Sequence, residues 1–246
     1  MIRATFILAC YLCALALVAA ENSPDSRGKR ETRAIAGWNV YVSKALLLSQ
    51  NAQTERALGL LRAQLEAIIL AVPAPAVAKL RKVPLYFSPE YPGVQPKAEY
   101  HYAAGWLREH GRDPSMAKGI EFTNVRTFEA ESRRMPVFAL HELAHAYHDR
   151  VLGRDHAGIK AAYEKAKAGG KYDRVERQDS EGRKSMDRAY ALTNDKEYFA
   201  ECTEAFFGHN DFFPYTRQQL KQHDPEMFAL LEKVWNLPAD NETKPK

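Results

Sequence analysis

Val137-Phe138-Ala139-Leu140-His141-Glu142-Leu143-Ala144-His145-Ala146 decides how the rest of this chain reads. At its centre stands H-E-x-x-H. On a helix, residues four apart sit roughly 40° apart around the axis and about 6 Å along it. His141 and His145 can therefore reach one ion from a single turn. Neutral imidazole nitrogen suits Zn²⁺ at about 2.0–2.1 Å. Glu142 lies beside His141 but is poorly aimed to join the pair as a ligand. It is placed instead to take a proton from a water that the ion activates. Two solvated histidines on a surface helix are the plain alternative. The apolar residues on both sides disfavour it, because they call for a buried helix. With 8 histidines in 246 residues, chance would yield the pattern in roughly one chain in fifty of this composition.

Length and composition bound the setting. An apolar fraction of 46% and a charged fraction of 27% are those of a globular protein. The length suits one sizeable domain, with room for two lobes around a cleft. A formal charge of +4 mildly favours acidic partners. No compact basic run marks a nucleic-acid surface, so nucleic acid is not an expected partner.

Residues 1–20 stand apart. Met1-Ile2-Arg3 is a short basic start, residues 4–17 are almost wholly apolar, and Val18-Ala19-Ala20 offers small residues before Glu21. This is the layout of a secretory signal peptide. A membrane anchor is disfavoured because the apolar run is short for a span. The expectation is a secreted chain with no membrane attachment after cleavage. Removing this segment takes Cys10 and Cys13 with it and leaves only Cys202, so no internal disulfide is possible. Residues 21–34 are polar and charged and read as a flexible linker or short pro-segment, in which Arg27-Gly28-Lys29-Arg30 would suit a processing protease.

A single domain is expected over 35–246. Residues 38–42 alternate weakly and read as a strand. In 52–71, Leu58, Leu61, Leu65, Ile68 and Ile69 recur at three- and four-residue steps, an amphipathic helix stopped by Pro73. Residues 82–87 form a short strand candidate before a loop rich in proline at 89, 92 and 96. Residues 118–125 alternate and predict another strand. If that strand is an exposed edge near the metal helix, Gly119, Glu121, Thr123 and Asn124 would bind a substrate backbone by strand addition. A strand with no ligand is the other reading. The metal helix is expected to start near Pro136 and end before Gly153. A second helix covers 156–168, and 171–188 read as loop. Helices follow over 195–207, 217–223 and 225–234, the last with Asp224 as N-cap. The tail from about 238 reads as disordered and carries the sequon Asn241-Glu242-Thr243.

A catalytic zinc takes three protein ligands and keeps one open position. The third ligand is sought in Tyr190-Ala191-Leu192-Thr193-Asn194-Asp195-Lys196-Glu197-Tyr198-Phe199-Ala200-Glu201. Glu197 and Glu201 share a helix face, with apolar residues between them. Buried carboxylates need partners. A zinc ion and its imidazoles would supply both: Glu197 as ligand, Glu201 as acceptor of an imidazole's outer N–H. A solvated Glu face extended by Glu204 is the alternative. Cys202 reads as a small buried residue. His148, two turns from His141, reads as satisfied or solvent-facing.

The pattern Tyr190-x-x-Thr193-Asn194-x-x-Glu197-Tyr198-Phe199-Ala200-Glu201, following H-E-x-x-H, resembles the catalytic domain of anthrax lethal factor and its relatives, including the secreted Pro-Pro endopeptidases. The resemblance spans roughly 118–235. It implies a zincin-like α+β fold: a small mixed sheet whose edge strand lies over the active-site helix, and a mainly helical C-terminal lobe. It implies one Zn²⁺ held by His141, His145 and Glu197, with Glu142 as general base. Tyr190 would stabilise the oxyanion, and Glu201 would stand behind the ligands. The implied activity is a secreted zinc metalloendopeptidase acting on peptides or proteins. The large receptor-binding and docking regions of lethal factor have no counterpart here. Two alternatives stay open. One is a non-catalytic zinc-binding or toxin-like interaction module, against which intact Glu142 and Tyr190 argue. The other is a structural zinc site completed by His148 or Cys202.

Overall fold

A computed structural model describes residues 29–236. The expected signal peptide with Cys10 and Cys13, most of the expected linker, and the tail with Asn241 lie outside the described residues. The architecture is mixed α+β. Five strands form one sheet in the order β1-β2-β3-β5-β4. They are β1 Arg30–Ile35, β2 Trp38–Ser43, β3 Leu85–Phe87, β4 Ala98–Tyr100 and β5 Ile120–Phe122. β1–β2 and β4–β5 are antiparallel, whereas β2–β3 and β3–β5 are parallel.

The linker expected over 21–34 is corrected at its C-terminal end, since residues 30–34 belong to β1. Ala36 and Gly37, both at positive φ, turn the chain so that Ile35 faces Trp38. The sequence does not mark this strand, because it is an edge strand with charged side chains. Arg30 pairs with Asp113 at 2.7 Å and Arg33 with Glu55 at 2.7 Å. Charge on an edge guards it against pairing with other chains.

Helices cover the sheet. They are α1 Lys44–Ser49, α2 Asn51–Ala71, α3 Ala74–Leu80, α4 Ala104–Glu109, α5 Phe128–Arg134, α6 Phe138–Tyr147, α7 Ala157–Ala168, α8 Asp195–Phe207, α9 Arg217–His223 and α10 Pro225–Trp235. The apolar face of α2 is buried at Leu58, Leu61, Leu65 and Ile68. On the same helix, buried Gln64 accepts a hydrogen bond from the Ala139 N–H at 2.9 Å. That bond satisfies one of the donors left open at the start of α6. Phe87, Phe122, Phe128 and Phe138 pack together with ring centroids 4.8–6.1 Å apart. They tie the sheet to α5 and α6.

Residues 171–188 are not all loop. β6 Val175–Gln178 and β7 Lys184–Asp187 form an antiparallel hairpin. Every residue of β7 is exposed, so no apolar alternation marked it. After α6 a π-helical turn, His148–Gly153, continues the H-E-x-x-H helix. Asp224 caps α10, accepting from the Met227 N–H at 3.2 Å. Among the described residues no helix is long and apolar enough to cross a membrane.

Candidate metal centre

Asn194 starts α8. Its side-chain oxygen accepts from the N–H groups of Lys196 and Glu197 at 2.8 and 3.0 Å, an N-cap that fixes Glu197 in the first turn. α8 lies against α6, and its Tyr198, Phe199 and Ala200 are buried. Glu197 thereby faces the two histidines of α6. Glu197 Oε2 is 3.0 Å from His141 Nε2 and 3.3 Å from His145 Nε2, and the two ring nitrogens are 3.2 Å apart. A tetrahedral ion with N and O ligands near 2.0–2.1 Å sets its ligand atoms about 3.3 Å apart. The triangle fits that size. Its donor set, two imidazoles and one carboxylate, is also that of catalytic zinc.

The electrostatics agree. Burial opposes charge on Glu197, yet the two imidazoles against it hold its carboxyl well below the usual range. Burial likewise opposes a charged His141, and the Glu197 and Glu204 carboxylates outweigh it and raise the ring's pKa. Both carboxylates thus favour positive charge at this spot.

The residue behind His141 is corrected. His141 Nδ1 lies 2.7 Å from Glu204 Oε1, whereas Glu201 Oε1 is 3.7 Å away. Glu201 instead accepts from Asn210 Nδ2 at 3.1 Å. Seven residues on a helix come back within roughly 20° of the starting direction, four within roughly 40°. Glu204 therefore stands more nearly in line with Glu197. It is fully buried, not part of a solvated face. Burial raises the pKa of both Glu201 and Glu204; Glu204 and Asp211 add to it at Glu201, and Asp211 adds to it at Glu204.

The edge strand is corrected as well. β5 is interior, covered by β4. Gly119 sits so close to the Tyr86 ring and the Pro84 carbonyl that a β-carbon would lie 2.6 and 2.9 Å from them. Glu121 is fully buried and bonded by Tyr91 and His101, each at 2.9 Å. Thr123 bonds Lys97 through its N–H and hydroxyl. Only Asn124, although buried, borders the cleft. None of the four offers a free backbone edge.

β4 offers one. His101 and Lys97 bond β5 through their backbone groups, so by alternation Ala98 and Tyr100 turn theirs outward. The Tyr100 N–H indeed donates to Glu142 Oε2 at 2.8 Å. Two cavities meet at Lys97, Ala98, His141, Glu142 and Tyr190, one of about 660 Å³ and one of about 520 Å³. Together they form a cleft along β4.

Tyr190 lies on a 3-10 turn, Tyr190–Leu192, and is 47% exposed. Its ring centroid is 6.4 Å from that of His141. Burial, with Glu197 and Glu142 nearby, raises its pKa and keeps the hydroxyl a donor. Sequence reasoning missed Tyr102, whose hydroxyl stands 3.4 Å from His145 Nδ1. No spacing rule reaches from residue 102 to residue 145, so no signal marked it.

His148 is neither satisfied nor solvent-facing. It is buried against the Phe199 ring, 5.1 Å between centroids, and neither ring nitrogen has a partner among the described residues. Burial lowers its pKa to about 4. Cys202 is buried beside Tyr172. Neither joins a group of side chains able to share an ion among the described residues; the groups that do are His141, His145 and Glu197, and His141, Glu201 and Glu204.

Residues 124–234 match the family described as anthrax toxin lethal factor, N- and C-terminal domain. This agrees with a lethal factor-like family, which includes zinc-dependent metalloproteases acting on proteins. The matched stretch holds α6 and α8 and leaves out the five-stranded sheet. No curated protein and no solved structure matches the chain.

Proposed function

We propose that this lethal factor-like chain is a secreted zinc metalloendopeptidase. The observation that carries the reading is the triangle of His141 Nε2, His145 Nε2 and Glu197 Oε2, with edges of 3.0–3.3 Å, facing a cleft beside a free strand edge. Zinc, when bound there, supplies Lewis acidity to the scissile carbonyl and to the attacking water. Everything else falls to the chain's own groups. Ala98 and the Tyr100 carbonyl, on the outward edge of β4, hold an extended substrate backbone in the cleft. Glu142, oriented by the Tyr100 N–H, takes a proton from the water and delivers it to the leaving amine nitrogen. Tyr190 donates its hydroxyl to the carbonyl oxygen as charge develops there. Glu204 fixes the His141 ring and its tautomer. Secretion rests on the signal-peptide pattern of residues 1–20.

Cleavage of a peptide library, read by mass spectrometry, tests this. The zinc-loaded chain should cut internal bonds, stop on chelation and recover on zinc addition. Glu142→Gln should keep its zinc and lose at least about 100-fold in turnover. Wild-type-like cleavage by that variant would remove Glu142 as the base. Intact peptides under every condition would leave a zinc-binding module without catalysis.

A further inference from the structure

We infer that Arg154 selects substrates with an acidic side chain on the N-terminal side of the scissile bond. This deepens the peptidase reading above and rests on it. The larger cavity is lined by three basic side chains. Lys97 is paired with Glu99 at 2.9 Å and Lys196 with Asp195 at 2.8 Å. Arg154 has no carboxylate partner among the described residues. Its guanidinium lies over the Tyr102 ring, 4.4 Å from the centroid. Gly153, at φ +87°, ends the π-helical turn and brings Arg154 to that place.

Stacking on a ring face leaves the edge N–H groups of a guanidinium free. Those donors form a planar fork that matches a carboxylate. Tyr102, which carries Arg154, also stands against His145. A carboxylate bound by Arg154 therefore sits within reach of the centre. In the smaller cavity the arginines are engaged otherwise. Arg134 and Arg177 both contact Asp211, and Arg188 donates to the Leu192 carbonyl at 3.1 Å.

Strand direction, with substrate addition in the more stable antiparallel sense, gives the side of the bond. β4 runs from Lys97 and Ala98, shared by both cavities, to Tyr100 and Tyr102 over the larger one. A substrate added antiparallel runs the other way. Its residues before the scissile bond then lie along Tyr100 and Tyr102, beside Arg154. The net charge of +4 also favours acidic partners at long range.

Peptide hydroxamates test this without turnover, because their zinc-binding group sits at the C-terminus and their residues fill only this side. Acetylated tripeptide hydroxamates carrying Glu, Gln or Lys at each position in turn would be titrated into the zinc-loaded full chain. Glu should be preferred over Gln at one position by about tenfold, the scale of one charge-assisted hydrogen bond at a partly exposed site. The ratio should fall to about one in Arg154→Ala, invert towards Lys in Arg154→Glu, and survive in part in Arg154→Lys. It should also shrink as salt rises. A wild-type ratio within about twofold at every position, or a ratio unchanged by Arg154→Ala, overturns the assignment of Arg154 while leaving the zinc centre standing. If no hydroxamate binds, the peptidase centre is lost and the role of Arg154 falls with it.

Discussion

Glu204 and Glu201 stand three residues apart on α8, yet only Glu204 is within hydrogen-bond distance of His141, at 2.7 Å. Removing the group that orients a ligating imidazole costs about 10- to 100-fold in metal affinity. Glu204→Gln should lose that much in competition with a chelating dye, and Glu201→Gln clearly less. Equal losses would return Glu201 to the place behind His141. Tyr190→Phe should lower turnover and leave zinc content as it was; an unchanged rate would remove its hydroxyl from the chemistry. His148 gives a pH prediction. Its folded pKa, about 4, lies below its ordinary value of 6.5, so the unfolded chain takes up a proton that the folded chain refuses. Stability is unaffected above about pH 6.5 and is lost as pH falls towards 4, by on the order of 2–3 kcal/mol. His148→Leu should flatten that loss relative to wild type in urea melts across the same range. His141, Glu142 and His145 were legible because a single helical turn brings them together. Glu197 was legible because buried carboxylates demand partners. Glu204 was hidden by the phase of its helix, which sequence fixes only to within a turn. Tyr102 was hidden because only the tertiary fold brings it to His145.

At the scale of elements, the long helices are fully legible, the strands β2, β3 and β5 are legible only within wider windows, and β1, β4, β6 and β7 are not legible. α2 repeats its apolar face over five turns, so its period stands out, whereas β3, β4 and β5 have three residues each. Three residues show barely one alternation. The Pro-rich loop before β4 further disguises the strand that forms the outward edge beside the cleft. β1 and β7 were lost for another reason: exposed charged strands resemble loops. The joint between α8 and α6 offers a test of how these elements hold the centre. Gly208, just past α8, packs so closely on Val137, just ahead of α6, that a β-carbon would overlap the Val137 methyl. Val137 is β-branched and has little freedom to turn aside. Gly208→Ala should cost about 1–3 kcal/mol in chemical denaturation. Adding Val137→Ala should recover much of it. A Gly208→Ala chain as stable as wild type would mean that this contact does not set the distance between the helices.

At the scale of the whole molecule, the centre joins parts of the chain that are far apart in sequence. α6 and α8 bring His141, His145 and Glu197 together, and β4 supplies the edge beside them. Among the described residues Cys202 is free, so no disulfide ties these parts. A cation in the triangle would bind only the folded chain and stabilise it by mass action, by about 4 kcal/mol at a thousandfold excess over Kd. For a domain of this size that corresponds to a rise of roughly 8–16 °C in Tm. Chelation should reverse the rise, and Glu197→Gln should abolish most of it. An unchanged Tm would separate the metal from the fold. The most direct test is zinc K-edge X-ray absorption on the loaded chain. One zinc per chain, with two imidazoles and an otherwise all-oxygen shell at about 2.0–2.2 Å, is the predicted result. A sulfur neighbour, a third imidazole or no bound zinc would contradict it.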